Sequence, residues 1–189
     1  GEAGAPGLDS LSISFWFSAN TVTGIQTIIS KGYAETNRAG WKVYLDQDVL
    51  YLCASTDQRE HYTARYPGIQ HGQLYHAGFV INNDTGGLRA YLDGSSAGWD
   101  MNQAGLPRWS LIDSASPLRL GANPDRLEAF SGILDDLMVW HFPLGADELN
   151  RIYQGGLAMQ SAFDASGVDD DSDFDGLPDD WEWNAFGST

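Results

Sequence analysis

Between Asp171 and Glu182 the sequence reads DSDFDGLPDDWE. Counted from Asp171, the ligand positions 1, 3, 5, 9 and 12 are all acidic, as Asp171, Asp173, Asp175, Asp179 and Glu182, with Gly176 at position 6. That spacing wraps hard oxygen ligands around one calcium ion. The glycine permits the sharp turn, Leu177 supplies a backbone carbonyl, and Glu182 can bind through two oxygens from the first turn of a helix opened by Pro178. A solvated acidic tail accounts for the charge, but not for the odd-numbered spacing, the glycine, or the Trp181 and Trp183 that follow.

A second group of residues could hold a sugar, which needs aromatic faces and polar groups fixed on a preformed surface. The candidates are Tyr33, Arg38 and Trp41 around one long loop, Arg59, His61 and Arg65 along one strand-like segment, and Trp99 with Trp109 in a second loop. Large aromatics are usually well buried, so packing competes with binding for each Trp. Arginines are more telling in so acidic a chain, and a cluster of Arg38, Arg59 and Arg65 would suit an anionic glycan.

Catalysis makes stricter demands. A retaining glycosidase needs two carboxylates about 5 Å apart. Asp135 and Asp136 are adjacent in a strand-like run, so strict alternation sends them to opposite faces, and the neighbours of Asp136 at i±2 are Leu134 and Met138. One of the pair then reads as a structural or capping carboxylate. A lyase would need a Tyr or His base beside a residue that neutralises a uronate, and His61, Tyr62 and Arg65 share one segment, so that alternative stays open. His71, His76 and His141 are isolated and read as surface or packing residues. Nucleophile elbows, phosphate-binding glycine loops and zinc spacings are missing.

The totals narrow the partners. A formal charge of -16 with ten Lys plus Arg argues against nucleic acid and anionic membrane surfaces, and favours cations. No apolar run reaches the length of a membrane span. The single cysteine, Cys53, lies in the apolar run 49–54, where a buried, inert thiol is expected. Leader-like residues at the start and a chain that stops soon after Glu182 suggest a fragment of a larger protein.

The elements that must position these residues are mostly strands. Residues 11–19 alternate Leu11, Ile13, Phe15 and Phe17 against Ser12, Ser14, Trp16 and Ser18, the pattern of a half-buried antiparallel strand with Trp16 on an outer or second-layer face. Strands are expected at 27–31, at 41–45 and 49–55 as a hairpin, at 60–66, at 74–82 and 87–93 around Asn83-Asp84-Thr85-Gly86, at 117–121 and at 133–141. The Asn83 turn also matches a glycosylation acceptor, although turn chemistry alone explains it. Residues 94–116 form a long Gly-, Ser- and Pro-bearing loop. A helix follows over about 147–154.

Together the pieces SISFWF, IISKG, YHAGFVIN, LRAYLDG, LRLG, FSGILDDLMVW and LGADELNRIYQGG cover most of residues 8–157, and in their order they resemble the laminin G-like and pentraxin-like members of the concanavalin A-like superfamily. The resemblance implies an all-β, antiparallel two-sheet jelly-roll sandwich with one short helix, often used to bind glycans or proteins. In the pentraxin-like branch calcium is held by the loops after the LRLG-like strand and after the second strand. Here those loops offer Asn123, Asp125 and Glu128, and Glu35 and Asn37, although the first is short and a turn at Asn123-Pro124-Asp125 explains its residues. The acidic tail resembles the DxDxDG calcium loops of thrombospondin type 3 repeats and dockerins more than a paired EF-hand.

The expectation is therefore a sandwich over 1–158, a linker over 159–168 and a calcium-binding segment over 169–189. As a whole this reads as a non-catalytic module of a secreted, extracellular or cell-surface protein, binding a polysaccharide and carrying calcium, beside other domains of the parent chain. An adhesion or protein-interaction module, and a polysaccharide lyase or glycosidase, are the alternatives.

Overall fold

The computed structural model describes residues 10–32, 40–55, 61–82, 87–96, 100–101 and 116–166. Eleven strands and one helix follow in order: β1 Ser10–Ala19, β2 Ile25–Gly32, β3 Gly40–Asp46, β4 Val49–Ser55, β5 His61–Pro67, β6 Leu74–Asn82, β7 Gly87–Leu92, β8 Ser95–Ser96, β9 Asp100–Met101, β10 Leu118–Leu120, β11 Gly132–Trp140 and α1 Ala146–Ser166. They build two antiparallel sheets, one ordered β11-β1-β6-β7-β8 and the other β10-β2-β3-β4-β5-β9. No described helix is long and apolar enough to cross a membrane. By contacts the chain separates into two units, Gly1–Tyr153 and Gln154–Thr189.

The core of the first unit is the alternating apolar set of both sheets. Leu11, Ile13, Phe15 and Phe17 of β1 meet Trp41, Val43 and Leu45 of β3 and Leu50, Leu52 and Ala54 of β4, all essentially inaccessible. Alternate residues of the five-stranded sheet face outward, where the first turns of α1 and the residues just before it lie on them: Leu144 and Leu149 pack with Val80 and Tyr91 in a second cluster. Gly78 makes that approach possible, since a Cβ there would stand 3.0 Å from Leu149 Cδ2. Because α1 covers the outer side, β1 is buried on both faces instead of one. Trp16 sits in this second layer beside His76 and Tyr153, with ring centroids 5.1 and 5.7 Å away. The serines of the same face are satisfied locally: Ser12 Oγ donates to the Phe142 carbonyl and accepts the Leu144 amide, both at 2.8 Å.

Two expectations are corrected. The helix does not end near 154 but runs through Gly155 and Gly156 to Ser166, across most of the segment read as a linker. Leu157, Ala158, Met159 and Gln160 are strong helix formers, and their preference offsets the roughly 1 kcal/mol that each glycine costs. Strict alternation also fails in β11. The register with β1 slips between Ser14 and Trp16, and Asp136 takes a left-handed φ of 48°. This is a β-bulge, in which one extra residue disturbs the two-residue period. Both Asp135 and Asp136 are exposed, and Asp135 Oδ1 accepts the Asp136 amide at 2.7 Å. Asp135 thus caps the bulge.

Candidate functional site

The outer face of the six-stranded sheet is where polar and aromatic groups gather. In an antiparallel ladder, directly opposed residues share a face. Tyr44 opposes Tyr51 and Tyr51 opposes Arg65, while Arg119 opposes Ser30, Ser30 opposes Lys42, Lys42 opposes Cys53 and Cys53 opposes Thr63. Since Trp41, Val43 and Leu45 point into the core, these two rows must point away from it.

In the first row the rings of Tyr44 and Tyr51 stack, with centroids 5.0 Å apart and planes 12° from parallel. The stack arises from a two-residue hairpin loop, Gln47-Asp48, which fixes the register of β3 against β4. Gln47 takes the left-handed φ of 55° that so tight a connection requires. Lys42 Nζ stands 4.4 Å from the centroid of the Tyr44 ring. Arg65, half-buried, continues the row on β5.

The second row is closed over by the loop 121–130. Glu128 reaches from that loop to Lys42 Nζ at 2.9 Å and accepts the Thr27 hydroxyl at 2.7 Å. The Lys42 and Glu128 side chains are only 10% and 15% exposed, which makes this an ion pair largely withdrawn from water. Burial raises the Glu128 carboxyl, but hydrogen bonds from Lys42 and Thr27, the Lys42 charge and a further bond from Asn123 outweigh it and hold the group below its ordinary value. Arg126 and Glu128 both sit at left-handed φ, 60° and 54°, and the loop is pinned where Asn123 Oδ1 accepts the Leu127 amide at 2.8 Å. Ser30 Oγ donates to the Ala122 carbonyl, closing the same loop on the sheet.

Trp41, read from sequence as a ligand contact, is instead a core residue with 2% of its surface accessible. It precedes Lys42 on β3 and so takes the inner face. Cys53 is buried, as expected, but on the polar outer row rather than in the core, with Sγ 3.6 Å from Tyr44 Oη and 3.4 Å from Thr63 Oγ1. Arg65 lies where the strand pattern put it. His61 opens β5 opposite Ser55. Tyr33, Arg38, Arg59, Trp99 and Trp109 lie outside the described residues, as do the loop ligands Asp171, Asp173, Asp175, Leu177, Asp179 and Glu182, and Glu35 and Asn37 of the second calcium candidate. Of that candidate's remaining members, Asn123 is buried with its carbonyl oxygen engaged by the turn, and Asp125 is exposed. Among the described residues no three His, Cys, Asp or Glu side chains gather as a metal site.

Tyr44 and Tyr51 were not among the residues singled out from sequence. Their signal was present: they are equidistant from the Gln47-Asp48 turn, so a two-residue hairpin places them opposite each other.

A jelly-roll of two antiparallel sheets, one covered by a helix and the other presenting an aromatic and polar face, is the architecture of lectin-like sandwiches. The chain belongs to the Laminin_G_3 family of the concanavalin A-like lectin/glucanases superfamily, whose model matches residues 3–150. No curated protein matches the chain. Among solved structures it is similar to the sialidase module CBM40 of Ruminococcus gnavus bound to α2,3-sialyllactose, with a TM-score of 0.63 and 15% identity over 76% of this chain and 82% of that one. It is similar to the heptameric SAP-like pentraxin of Limulus polyphemus, with a TM-score of 0.58 and 21% identity over 77% and 70%. It also resembles the binding domain of botulinum neurotoxin serotype G, with a TM-score of 0.57 and 15% identity over 77% of this chain, where it spans only 36% of the toxin domain. At these identities the likeness is one of fold.

Proposed function

We propose that the chain is a non-catalytic carbohydrate-binding module of a larger secreted protein, with the outer face of the six-stranded sheet as its ligand surface. The observation that carries this reading is the row of Tyr44, Tyr51 and Arg65 on adjoining strands. Stacked rings offer apolar surface to the C–H side of a sugar, and a guanidinium beside them offers directed donors to an anionic group, which makes an acidic polysaccharide the expected ligand. The fold shared with a glycan-bound CBM40 supports the reading. So does the role of Asp135 in capping a bulge, which leaves the tandem Asp with a structural task. The segment from Asp171 to Glu182 is read as a calcium loop that orders the C-terminal part of the chain, on the strength of its ligand spacing.

The test is retention on a panel of neutral, uronic and sulfated polysaccharides in affinity electrophoresis with calcium present. Retention on at least one, reduced in Tyr51→Ala, is expected. Passage of the wild-type protein through every gel without retardation would overturn the reading.

A protein-interaction module is the second reading. It is favoured by the apolar side chains exposed on β10, on the loop after it and on β11, where Leu118, Leu120, Leu127 and Ile133 are each between 46% and 64% accessible. A partner recovered in pull-down and not displaced by glycans would favour it.

A further inference from the structure

We propose, building on the glycan reading above, that the outer face selects sugars carrying isolated carboxylates, and that Glu128 determines this selectivity by cancelling Lys42. The argument is one of charge placement. Among the described strand residues three cationic side chains belong to the face: Arg119 on β10, Lys42 on β3 and Arg65 on β5. Lys42, in the middle, is neutralised by Glu128 at 2.9 Å and shielded from water. Neither arginine has a carboxylate partner among the described residues, and Arg119 Nε is buried without a hydrogen bond.

The two unneutralised guanidinium groups stand on strands four places apart in the sheet, about 19 Å at the usual strand spacing. A heavily sulfated chain gains affinity from clustered cations, and the described strands of this face carry none, on a protein whose net charge of -16 repels polyanions. A planar carboxylate on an otherwise neutral sugar needs only one guanidinium, which it meets through two parallel hydrogen bonds. Tyr51, directly across from Arg65, is placed to contact the ring that carries it. Sequence alone could not reveal this arrangement, because Glu128 and Lys42 are separated by 86 residues.

Titration calorimetry on the whole chain would decide it, with sialyllactose and a neutral oligosaccharide bearing a single glucuronate as the two sources of sugar carboxylate, a neutral glucan oligosaccharide, and a heavily sulfated oligosaccharide. Wild-type protein is expected to bind at least one carboxylated ligand about tenfold or more tighter than the neutral and sulfated ones. Arg65→Ala should remove that preference, since a charge-assisted bond is worth tenfold or more in affinity. Glu128→Gln keeps an acceptor for Thr27 while freeing the Lys42 charge, and should raise affinity for the sulfated ligand several-fold, with a steeper loss on adding salt.

A wild-type preference for the neutral or sulfated ligand would overturn the proposal. So would an unchanged carboxylate preference in Arg65→Ala, a half-buried surface position whose replacement leaves the core intact. If Glu128→Gln melts well below wild type, the ligand ranking of the wild-type protein and the Arg65→Ala result still decide the question. Binding that is independent of Arg65 would leave the module reading standing, whereas no binding to any of the four ligands would remove both.

Discussion

His76 Nε2 lies 2.7 Å from Ser14 Oγ across β6 and β1, beneath the ring of Tyr153 on α1. The imidazole is 2% accessible and shares its pocket with Trp16. Its main-chain amide donates to Asp93 Oδ1 at 2.9 Å, so that carboxylate is engaged with the backbone beside the ring. Burial pushes the imidazole from 6.5 down to about 4. The folded protein therefore holds the ring neutral where the unfolded chain would already take a proton.

A specific pH dependence follows. Since the folded value lies below the unfolded one, the unfolded state binds more protons between them, and stability falls as pH drops below about 6.5 and goes on falling to about 4. At about 1.4 kcal/mol for each pH unit, the full loss is about 3 kcal/mol. Glu128 adds an acid-side loss that begins only below its unfolded value of 4.5. Urea midpoints between pH 8 and 4.5 should thus slope downward in wild type and lose most of that slope in His76→Phe. Equal slopes in the two proteins would assign the effect to other groups.

The packing of α1 on the sheet rests on Leu149, which is fully buried against Gly78. Leu149→Ala should cost about 3 kcal/mol, the usual range for a core leucine that leaves a cavity. Gly78→Ala should also destabilise, because its methyl must displace Leu149. Both are read as shifts in the urea midpoint. A loss below about 1 kcal/mol for Leu149→Ala would mean that the helix contributes little to the stability of the sandwich.

The ion pair between Lys42 and Glu128 gives a third expectation. Replacing one member leaves a largely buried charge uncompensated, so Lys42→Met and Glu128→Ala should each cost about 1–3 kcal/mol, and the double mutant should cost less than the sum. Glu128→Gln should be milder than Glu128→Ala because it still accepts from Thr27. Thermal denaturation of the four proteins supplies the coupling energy, and strict additivity would show that the pair contributes nothing as a pair.

How much of this was legible in the sequence varies with the range of the contact. Alternation found the long strands within a residue or two, because Phe15 and Phe17 on β1 or Leu50 and Leu52 on β4 can only face one core. It missed the two-residue strands β8 and β9, which are too short to show a period. It also missed the break in alternation at Asp135 and Asp136, since a bulge inserts one residue without leaving a compositional mark, although the reading of one of the pair as a capping carboxylate holds for Asp135. Reading Trp41 as a ligand contact weighted its loop over its parity, although Val43 and Leu45 two and four places on already fixed its face inward. Glu128 over Lys42 had no local signal at all: the side chains meet only because β10 and the loop after it lie along the β2 edge of the sheet.

The segment from Asp171 to Glu182 yields the last prediction. If the side chains of Asp171, Asp173, Asp175, Asp179 and Glu182 and the Leu177 carbonyl surround one ion, calcium binds the folded loop and not the extended chain, and the gain in stability grows with the logarithm of its concentration above the dissociation constant. An extracellular-type affinity of about 10⁻⁴ to 10⁻³ M puts that rise in the millimolar range. Limited proteolysis with and without chelator should show protection of the bonds between Gly167 and Glu182 by calcium but not by magnesium, which keeps its waters and fits poorly in a loop of many carboxylates. Asp173→Ala combined with Asp175→Ala removes two central ligands and should abolish the protection while leaving the His76-dependent acid transition of the sandwich unchanged. A calcium response that survives in the double mutant would move the ion elsewhere, and the loop containing Asp125 would be the next place to substitute.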